Sequence, residues 1–315
     1  MSDLGRVLVL AGGLSHERDV SLRSGRRVAE SLRAVGVDVE ISDVDAGLVD
    51  RLRTEPPGAV FPLLHGVTGE DGALRQVLDL YDVPYVGSDA AACRTAFDKP
   101  TASSVVRWAG LRTPESVVLG HETFRELGAA ALMERVAGRI GLPLVVKPAR
   151  GGSALGASVV RSVEELPSAM VNCFAYGPVA LIERYAEGVE VAVTVVDTGD
   201  GPHALPAVEI RPDSGFYDYE ARYTAGSTQF VVPATLDDPV AAACAEAAVT
   251  AHQALGLRDL SRSDLVVDAD GVPWFLEVNV APGMTETSLV PLAAEAAGLE
   301  LGVLCRDLLA VAAAR

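Results

Sequence analysis

Two short segments near the C-terminal end carry the most specific chemistry in this chain, Arg262-Ser263-Asp264 and Phe275-Leu276-Glu277-Val278-Asn279. Asp270-Gly271 between them marks a hairpin turn, so both segments are expected on paired strands. Side chains alternate along a strand, which puts Glu277 and Asn279 on one face and sends Leu276 and Val278 into the core. By the same rule Arg262 and Asp264 share a face on the neighbouring strand. One arginine, two carboxylates and an amide oxygen therefore converge. Hard oxygen ligands of this kind suit Mg²⁺, which takes few carboxylates and completes its shell with phosphate and water. The competing reading is an ordinary sheet surface laced with charge. Asn279 leads into Ala281-Pro282-Gly283-Met284 rather than a polar turn, which favours the metal.

A second constellation is Leu144-Val145-Val146-Lys147-Pro148 followed by Arg150-Gly151-Gly152-Ser153-Ala154-Leu155-Gly156. A lysine that ends an apolar strand is costly to bury unless an anion pairs with it. Nucleotide phosphate is a natural partner, and the glycines free backbone N–H groups to approach it. The glycine spacing is that of a phosphate-binding P-loop, but Ala157-Ser158 stands where the P-loop lysine and hydroxyl residue would be. The lysine precedes the loop, so this is not a P-loop. A plain hairpin turn with a snorkelling lysine is the bland alternative. The first turn, Ala11-Gly12-Gly13 through His16-Glu17-Arg18-Asp19-Val20-Ser21, is not a dinucleotide fingerprint either. Taken alone, Glu17 there reads first as a simple first-turn acid favoured by the helix dipole. His65-Gly66 with Glu70-Asp71-Gly72 is a strand-end histidine in a glycine-rich loop, with no chemistry assigned by its spacing alone.

The elements that must position these residues fall into three groups. Strand-like runs at Arg6–Ala11, Val37–Ile41, Ala59–Leu64 and Pro84–Val86 alternate with helical stretches at Val20–Ala34 and Ala73–Leu80. Such alternation implies a parallel sheet with helices on its faces. A boundary is expected near Gly87–Ala90, ahead of two short helices around Lys99-Pro100. The middle group holds a helix over Glu122–Ile140, strands at Leu144–Lys147 and Ala157–Arg161 around the glycine-rich turn, a helix over Val163–Val171 and a strand at Ala180–Tyr185. The last group begins with strands Glu190–Val196 and Ala204–Ile210 and a polar, aromatic loop from Asp213 to Thr228. A helix over Pro239–Leu255, the hairpin Ser263–Asp268 with Pro273–Val278, and two helices complete it. The expected division is 1–88, 89–183 and 184–315, consistent with about 100–150 residues per domain in a chain of 315.

Composition narrows the function. A formal charge of −17 speaks against a nucleic-acid partner, because phosphate backbones need basic patches. An acidic chain that binds nucleotide must concentrate its few cations locally and use a divalent metal. No apolar run reaches the roughly 18 residues of a membrane span, and the N-terminus lacks the signal-peptide pattern, so a cytoplasmic location is expected. Cys93, Cys173, Cys244 and Cys305 form no CxxC pair and read as reduced, buried thiols.

Taken together and in order, the motifs resemble those of the D-alanine–D-alanine ligases of the ATP-grasp superfamily. The matching residues are Gly12-Gly13 with Glu17 to Ser21, His65-Gly66 with Gly69 to Gly72, Asp98-Lys99, Lys147-Pro148, and Gly152-Ser153 with Gly156. Phe216 to Ala221 with Tyr223, Arg262 with Asp264, Glu277 to Asn279, Pro282 to Thr285, and Ser288 to Pro291 continue the series over nearly the whole chain. The resemblance implies a mixed α/β and α+β ATP-grasp fold. Its parts would be an N-terminal parallel-sheet substrate domain, a small central lid and a C-terminal antiparallel-sheet catalytic domain.

The resemblance also implies roles. Lys99 and Lys147 would contact the ATP phosphates, with Glu183, Arg184 and Tyr185 beside adenine and Glu190 at the ribose. Asp264, Glu277 and Asn279 would hold two Mg²⁺ ions, with Mn²⁺ as a possible substitute. Glu17 would take the ammonium of the first D-amino acid, linked by hydrogen bonds to Ser153 and Tyr223. Ser288 and the Leu289 backbone would receive the second carboxylate, Arg262 and the Gly283 N–H would form an oxyanion hole, and His65 and Arg222 would also contact substrate. The implied reaction joins two D-alanines through an acyl phosphate, releasing ADP and phosphate, for peptidoglycan precursors and hence cell wall and cell shape, in a homodimer. Lysine usually precedes the loop tyrosine in that family, whereas this chain has Arg222, and Ala154 replaces a common serine. A sibling ligase that uses D-serine, D-lactate or a natural-product amino acid is the near alternative, and Tyr223 favours a dipeptide-forming enzyme. A nucleotide-binding protein that has lost catalysis is the distant one; intact Arg262, Asp264, Glu277 and Asn279 count against it.

Overall fold

The computed structural model describes residues 4–224 and 226–315, and the side chain of Tyr223 lies outside the described part. The chain begins with β1 (Val7–Leu10), α1 (Arg18–Ala34), β2 (Val39–Ser42), α2 (Leu48–Thr54), β3 (Ala59–Pro62), α3 (Val67–Glu70) and α4 (Ala73–Leu80). The strands form a parallel sheet in the order β2-β1-β3. Val7 and Val9 pack with Val28 and Leu32 on one face, while Leu8 and Leu10 pack with Leu48, Leu52, Leu74 and Leu78 on the other. A strand covered on both faces must be apolar throughout, which is why this run does not alternate. The strand expected at Pro84–Val86 is reduced to one bridge, Val60 with Tyr85, because Pro84 has no N–H with which to extend a ladder.

Next come α5 (Ala90–Phe97) and α6 (Lys99–Trp108), each started by an aspartate cap. Asp89 accepts from the N–H groups of Ala91 and Ala92, and Asp98 accepts from that of Thr101. They are followed by β4 (Ser116–Gly120), α7 (His121–Leu127), α8 (Ala129–Ile140), β5 (Leu144–Pro148), β6 (Ser158–Val160), α9 (Leu166–Phe174) and β7 (Val179–Arg184). These strands make an antiparallel sheet ordered β4-β7-β5-β6, so the glycine-rich turn does join two paired strands. The single helix expected over Glu122–Ile140 is two helices, because Gly128 adopts φ 87° and ends the first.

The remainder runs β8 (Val189–Val196), β9 (His203–Ala204), β10 (Val208–Pro212), α10 (Tyr219–Tyr223), β11 (Thr228–Val231), α11 (Asp238–Ala254), β12 (Leu260–Val267), β13 (Pro273–Asn279), α12 (Leu289–Ala296) and α13 (Leu301–Ala313). Its antiparallel sheet is ordered β11-β10-β8-β12-β13, with β9 on the side of β8. The strand expected over Ala204–Ile210 is split at Pro206, which cannot donate to the ladder. The loop expected from Asp213 to Thr228 contains α10 and runs into β11.

One face of this sheet is dry. Val191, Val193, Val195, Leu265, Val267, Phe275 and Val278 pack there against α11 and against Ala92, Cys93, Ala102 and Val106 of α5 and α6. Helices α12 and α13 share a core with β1, β3 and α1 through Val290, Leu304, Leu308 and Leu309. The N-terminal sheet thus closes one face with residues from the far end of the chain. Among the described residues no helix is long and apolar enough to cross a membrane.

Candidate active site

The polar residues of β12 and β13 gather on the face opposite that dry core. Arg262 pairs across with Asn279, and Asp264 pairs across with Glu277. The register shifts between Asp264 and Leu265, so Leu276 is an extra residue on its strand. Simple alternation placed Leu276 in the core. The bulge instead turns it into the wall of a cavity and returns Phe275 to the core beside Val278. Arg262 holds Asp264 in a two-pronged contact, Nε to Oδ1 at 2.7 Å and Nη2 to Oδ2 at 2.8 Å. Burial disfavours the guanidinium charge, but the Asp264 carboxylate outweighs it and raises the Arg262 pKa further. Burial likewise opposes ionisation of Glu277, yet Lys99, Lys147, Arg222 and Arg262 together hold its carboxyl at about 2. The Lys99 ammonium lies 3.3 Å from Glu277 Oε2.

This donor set fits a hard divalent cation. Asp264, Glu277 and Asn279 offer two carboxylates and an amide, and each Asp264 oxygen retains a lone pair beyond its bond to Arg262. Asn279 Oδ1 accepts the Ala281 N–H at 2.8 Å, which fixes the amide orientation. Among the described residues no group of three or more histidine, cysteine or acidic side chains forms a cage. Mg²⁺ does not require one, since substrate phosphate and water supply most of its shell.

A cavity of about 360 Å³ opens over this face between the two antiparallel sheets. Lys147, Glu183, Arg184, Tyr185 and Glu190 line it, together with Asp264, Leu276 and Glu277. Lys147 Nζ sits 2.6 Å from Glu183 Oε1. Burial disfavours that ammonium, but Glu183 and Glu277 outweigh it and raise its pKa. Lys147 is therefore a permanent cation already matched to a carboxylate, where sequence alone had offered phosphate as its partner. Burial pushes the Glu190 carboxyl up to about 7, against the pull of Arg222. Lys99 Nζ also donates to Gly151 O at 2.5 Å, tying α6 to the glycine-rich loop. In that loop Ser153 and Ala154 both adopt left-handed φ values of 53° and 54°. That conformation costs a non-glycine residue roughly 1–2 kcal/mol.

The strained turn aims Ser153 at Glu17. Ser153 Oγ donates to Glu17 Oε1, joining the glycine-rich loop to the start of α1. Glu17 stands at the N-cap of α1 but its side chain does not cap the helix, and its carboxylate lines a second cavity of about 390 Å³. A Cβ added to Gly66 would lie 2.9 Å from Glu17 Oε2, and one added to Gly152 would lie 3.3 Å away. His65, Glu70, Arg222, Arg262, Asn279, Gly283, Ser288 and Leu289 are among the residues that line it. His65 Nδ1 is 2.8 Å from Ala281 O, and its Nε2 is buried with no partner among the described residues. Burial lowers the His65 pKa, so the ring is neutral; donation from Nδ1 leaves Nε2 as an acceptor facing inward. Ser288 Oγ accepts the Thr285 N–H at 2.9 Å, and a Cβ on Gly283 would come within 2.8 Å of it. Leu289 opens α12, where backbone N–H groups lack helical partners and favour an anion.

Glu70 is the site residue that sequence spacing left without a role. Its Oε1 accepts the Gly66 N–H at 2.8 Å. Burial, reinforced by the Glu17 charge, pushes its carboxyl up to about 8. The available signal was an acid in a glycine-rich loop just after a strand-end histidine. Arg222, on α10, stacks 4.1 Å above the Tyr217 ring and donates through Nε to Tyr217 O at 3.3 Å. The expected Ser153 link to Glu17 is present, whereas the expected part of Tyr223 in that link falls outside the described residues.

The two cavities meet. Lys99, Gly151, Gly152, Tyr217, Arg222 and Glu277 line both. A group transferred from one ligand to another at this junction would pass between cations, beside a carboxylate pair suited to a divalent metal.

Comparison with known proteins places the chain among relatives of one family. The family model for the D-ala D-ala ligase C-terminus matches residues 105–310. A D-alanine–D-alanine ligase of Bordetella petrii is 40% identical over 312 residues, covering 99% of this chain and 93% of that protein. The solved D-alanine–D-alanine ligase of Bacillus anthracis complexed with ATP is 29% identical, with a TM-score of 0.81 over 99% of this chain and 97% of that one. The VanG D-Ala:D-Ser ligase of Enterococcus faecalis is 28% identical, with a TM-score of 0.83 over 98% of this chain and 99% of that one.

Proposed function

The chain belongs to the D-alanine–D-alanine ligase family, and on that premise we propose that it joins two D-alanines with conversion of ATP to ADP and phosphate. The observation that carries this is the junction of the two cavities, whose shared lining holds two cations and a metal-suited carboxylate. ATP would occupy the first cavity, with its base toward Glu183, Arg184 and Tyr185 and its ribose toward Glu190. Both D-alanines would occupy the second.

The residues divide the work. Glu17 binds the first ammonium and turns its carboxylate toward the junction. Lys99, Lys147 and Arg222 spread the charge of the transferring phosphoryl group, where positioning and electrostatics supply nearly all of the catalysis. Mg²⁺, held by Asp264, Glu277 and Asn279, would add positive charge at the phosphates. The product of that step is an acyl phosphate, which must be kept from water. Ser288 and the Leu289 N–H hold the second carboxylate so that its amine meets the acyl carbon. The Arg262 guanidinium, fixed by Asp264, and the Gly283 N–H stabilise the oxyanion of the tetrahedral species. Its collapse expels phosphate, the attacking nitrogen gives up one proton to the departing phosphate, and the dipeptide remains.

In this reading residues 1–88, 89–183 and 184–315 act as substrate domain, lid and catalytic domain. The protein works as a cytoplasmic homodimer that supplies peptidoglycan precursor. The test is phosphate release across a panel of D-amino acids, L-amino acids and D-hydroxy acids. D-alanine alone should support turnover. Turnover that requires D-serine or D-lactate as second substrate would move the chain to a sibling specificity, and none with any pair would overturn the reading.

A further inference from the structure

Glu17 is placed by the loop that precedes α1, and a carboxylate from outside both cavities grips that loop. Asp43 follows the last residue of β2. Its Oδ1 accepts the N–H groups of Gly13 and Val44, each at 2.7 Å. Its Oδ2 accepts from Arg18 Nη2 at 2.5 Å, and Arg18 Nη1 donates to Gly13 O at 2.7 Å. Gly12 packs so tightly that an added Cβ would meet Asp43 Oδ1 at 2.3 Å. On its other side the Gly12 N–H donates to Ser21 Oγ at 2.7 Å, and that hydroxyl donates to Leu63 O at 2.6 Å.

The loop needs such anchors. Gly12 and Gly13 have φ values of 112° and 74°, a conformation open to glycine with little cost and equally easy for glycine to leave. Arg18 adjoins Glu17, so the bridge from Asp43 through Arg18 to Gly13 O closes a ring around the segment carrying the Glu17 carboxylate. The Arg18 hydrogen bond keeps the Asp43 carboxyl below its ordinary range, so the bridge is charged at neutral pH. Asp43 itself lines neither cavity.

We propose that Asp43 is a positioning residue for the first substrate, acting through Arg18 and Gly13 on the carboxylate of Glu17. The inference rests on the role given to Glu17 above. Asp43→Asn keeps the shape and an acceptor oxygen but removes the charge opposite Arg18. It should raise KM for the first D-alanine about tenfold while kcat and KM for ATP stay within about twofold. Arg18→Gln should reproduce that selective change, and Arg18→Lys should restore part of the affinity. In a Glu17→Gln background Asp43→Asn should add almost nothing, because both act at one point.

An unchanged first-site KM in Asp43→Asn, or equal loss in all kinetic parameters with a fallen Tm, overturns the proposal. If Asp43→Asn does not fold, Arg18→Gln carries the same test from the exposed side of the pair. Glu17→Gln measured alongside separates the two levels. A normal first-site KM in that variant overturns the role of Glu17 and this inference with it. A raised KM in Glu17→Gln but not in Asp43→Asn overturns the inference alone.

Discussion

Asp264 stands directly across from Glu277 in the β12–β13 ladder, and the register slips by one residue just beyond them. The slip matters because it leaves both carboxylates on the cavity face while Phe275 still fills the core. Arg262 grips Asp264 through two hydrogen bonds, and Lys99 near Glu277 helps keep that second acid ionised in a buried setting. Four expected outcomes follow from this arrangement and its neighbours.

Glu277→Gln keeps the shape of the side chain and removes the charge that Mg²⁺ and Lys99 would share. Its kcat should fall by at least about 100-fold, the scale of losing one preorganised electrostatic partner. Circular dichroism should stay unchanged. Near-normal kcat at ordinary Mg²⁺ would remove Glu277 from the metal site.

Glu17→Gln should raise KM for the first D-alanine far more than KM for ATP. The amide can still accept from Ser153 but cannot pair with an ammonium. Steady-state kinetics with separately resolved D-alanine sites decides this. Equal effects on every substrate would return Glu17 to the role of a helix-start acid.

Arg222 lines both cavities from the segment between β10 and β11. Arg222→Ala should therefore lower kcat more than any KM. Arg222→Lys should recover part of the rate, since it keeps charge but loses the planar stack on Tyr217. Nucleotide with Mg²⁺ and a phosphorylated inhibitor should also protect residues 213–228 from protease and hydrogen exchange. Equal protection with and without ligand, together with normal turnover in Arg222→Ala, would exclude a lid role for this segment.

Glu70 gives a pH signature. Its carboxyl rises from an ordinary 4.5 to about 8 in the fold, so between those values the folded state binds a proton that the unfolded chain releases. Stability from this group is present below 4.5 and is lost as pH rises through about 8. Glu70→Gln imitates the neutral acid and keeps an acceptor for the Gly66 N–H. Its Tm should therefore decline less than that of the native protein between pH 5 and about 8. Parallel Tm profiles would place an ionised carboxylate at Glu70.

Much of this was legible in the sequence because the relevant geometry is local. Alternation along one strand is enough to align Arg262 with Asp264 and Glu277 with Asn279, and both alignments hold in the fold. The uninterrupted apolar run of β1 announced a strand covered on both sides. The ordered motifs announced the family, because so many residue types in one order constrain a chain even without coordinates. Strands β4 and β11 escaped notice because they sit at sheet edges, half-buried and without a clean alternation.

Other features only the tertiary structure decided. A bulge depends on the partner strand, so no single segment could reveal that Leu276 leaves the core. Lys147 meets Glu183 because β5 lies beside β7, with the chain between them looping through β6 and α9. Asp43 grips Gly13 because two parallel strands end together. Glu70 keeps its proton because the fold buries it near Glu17, and burial and charge proximity are properties of packing rather than of sequence order.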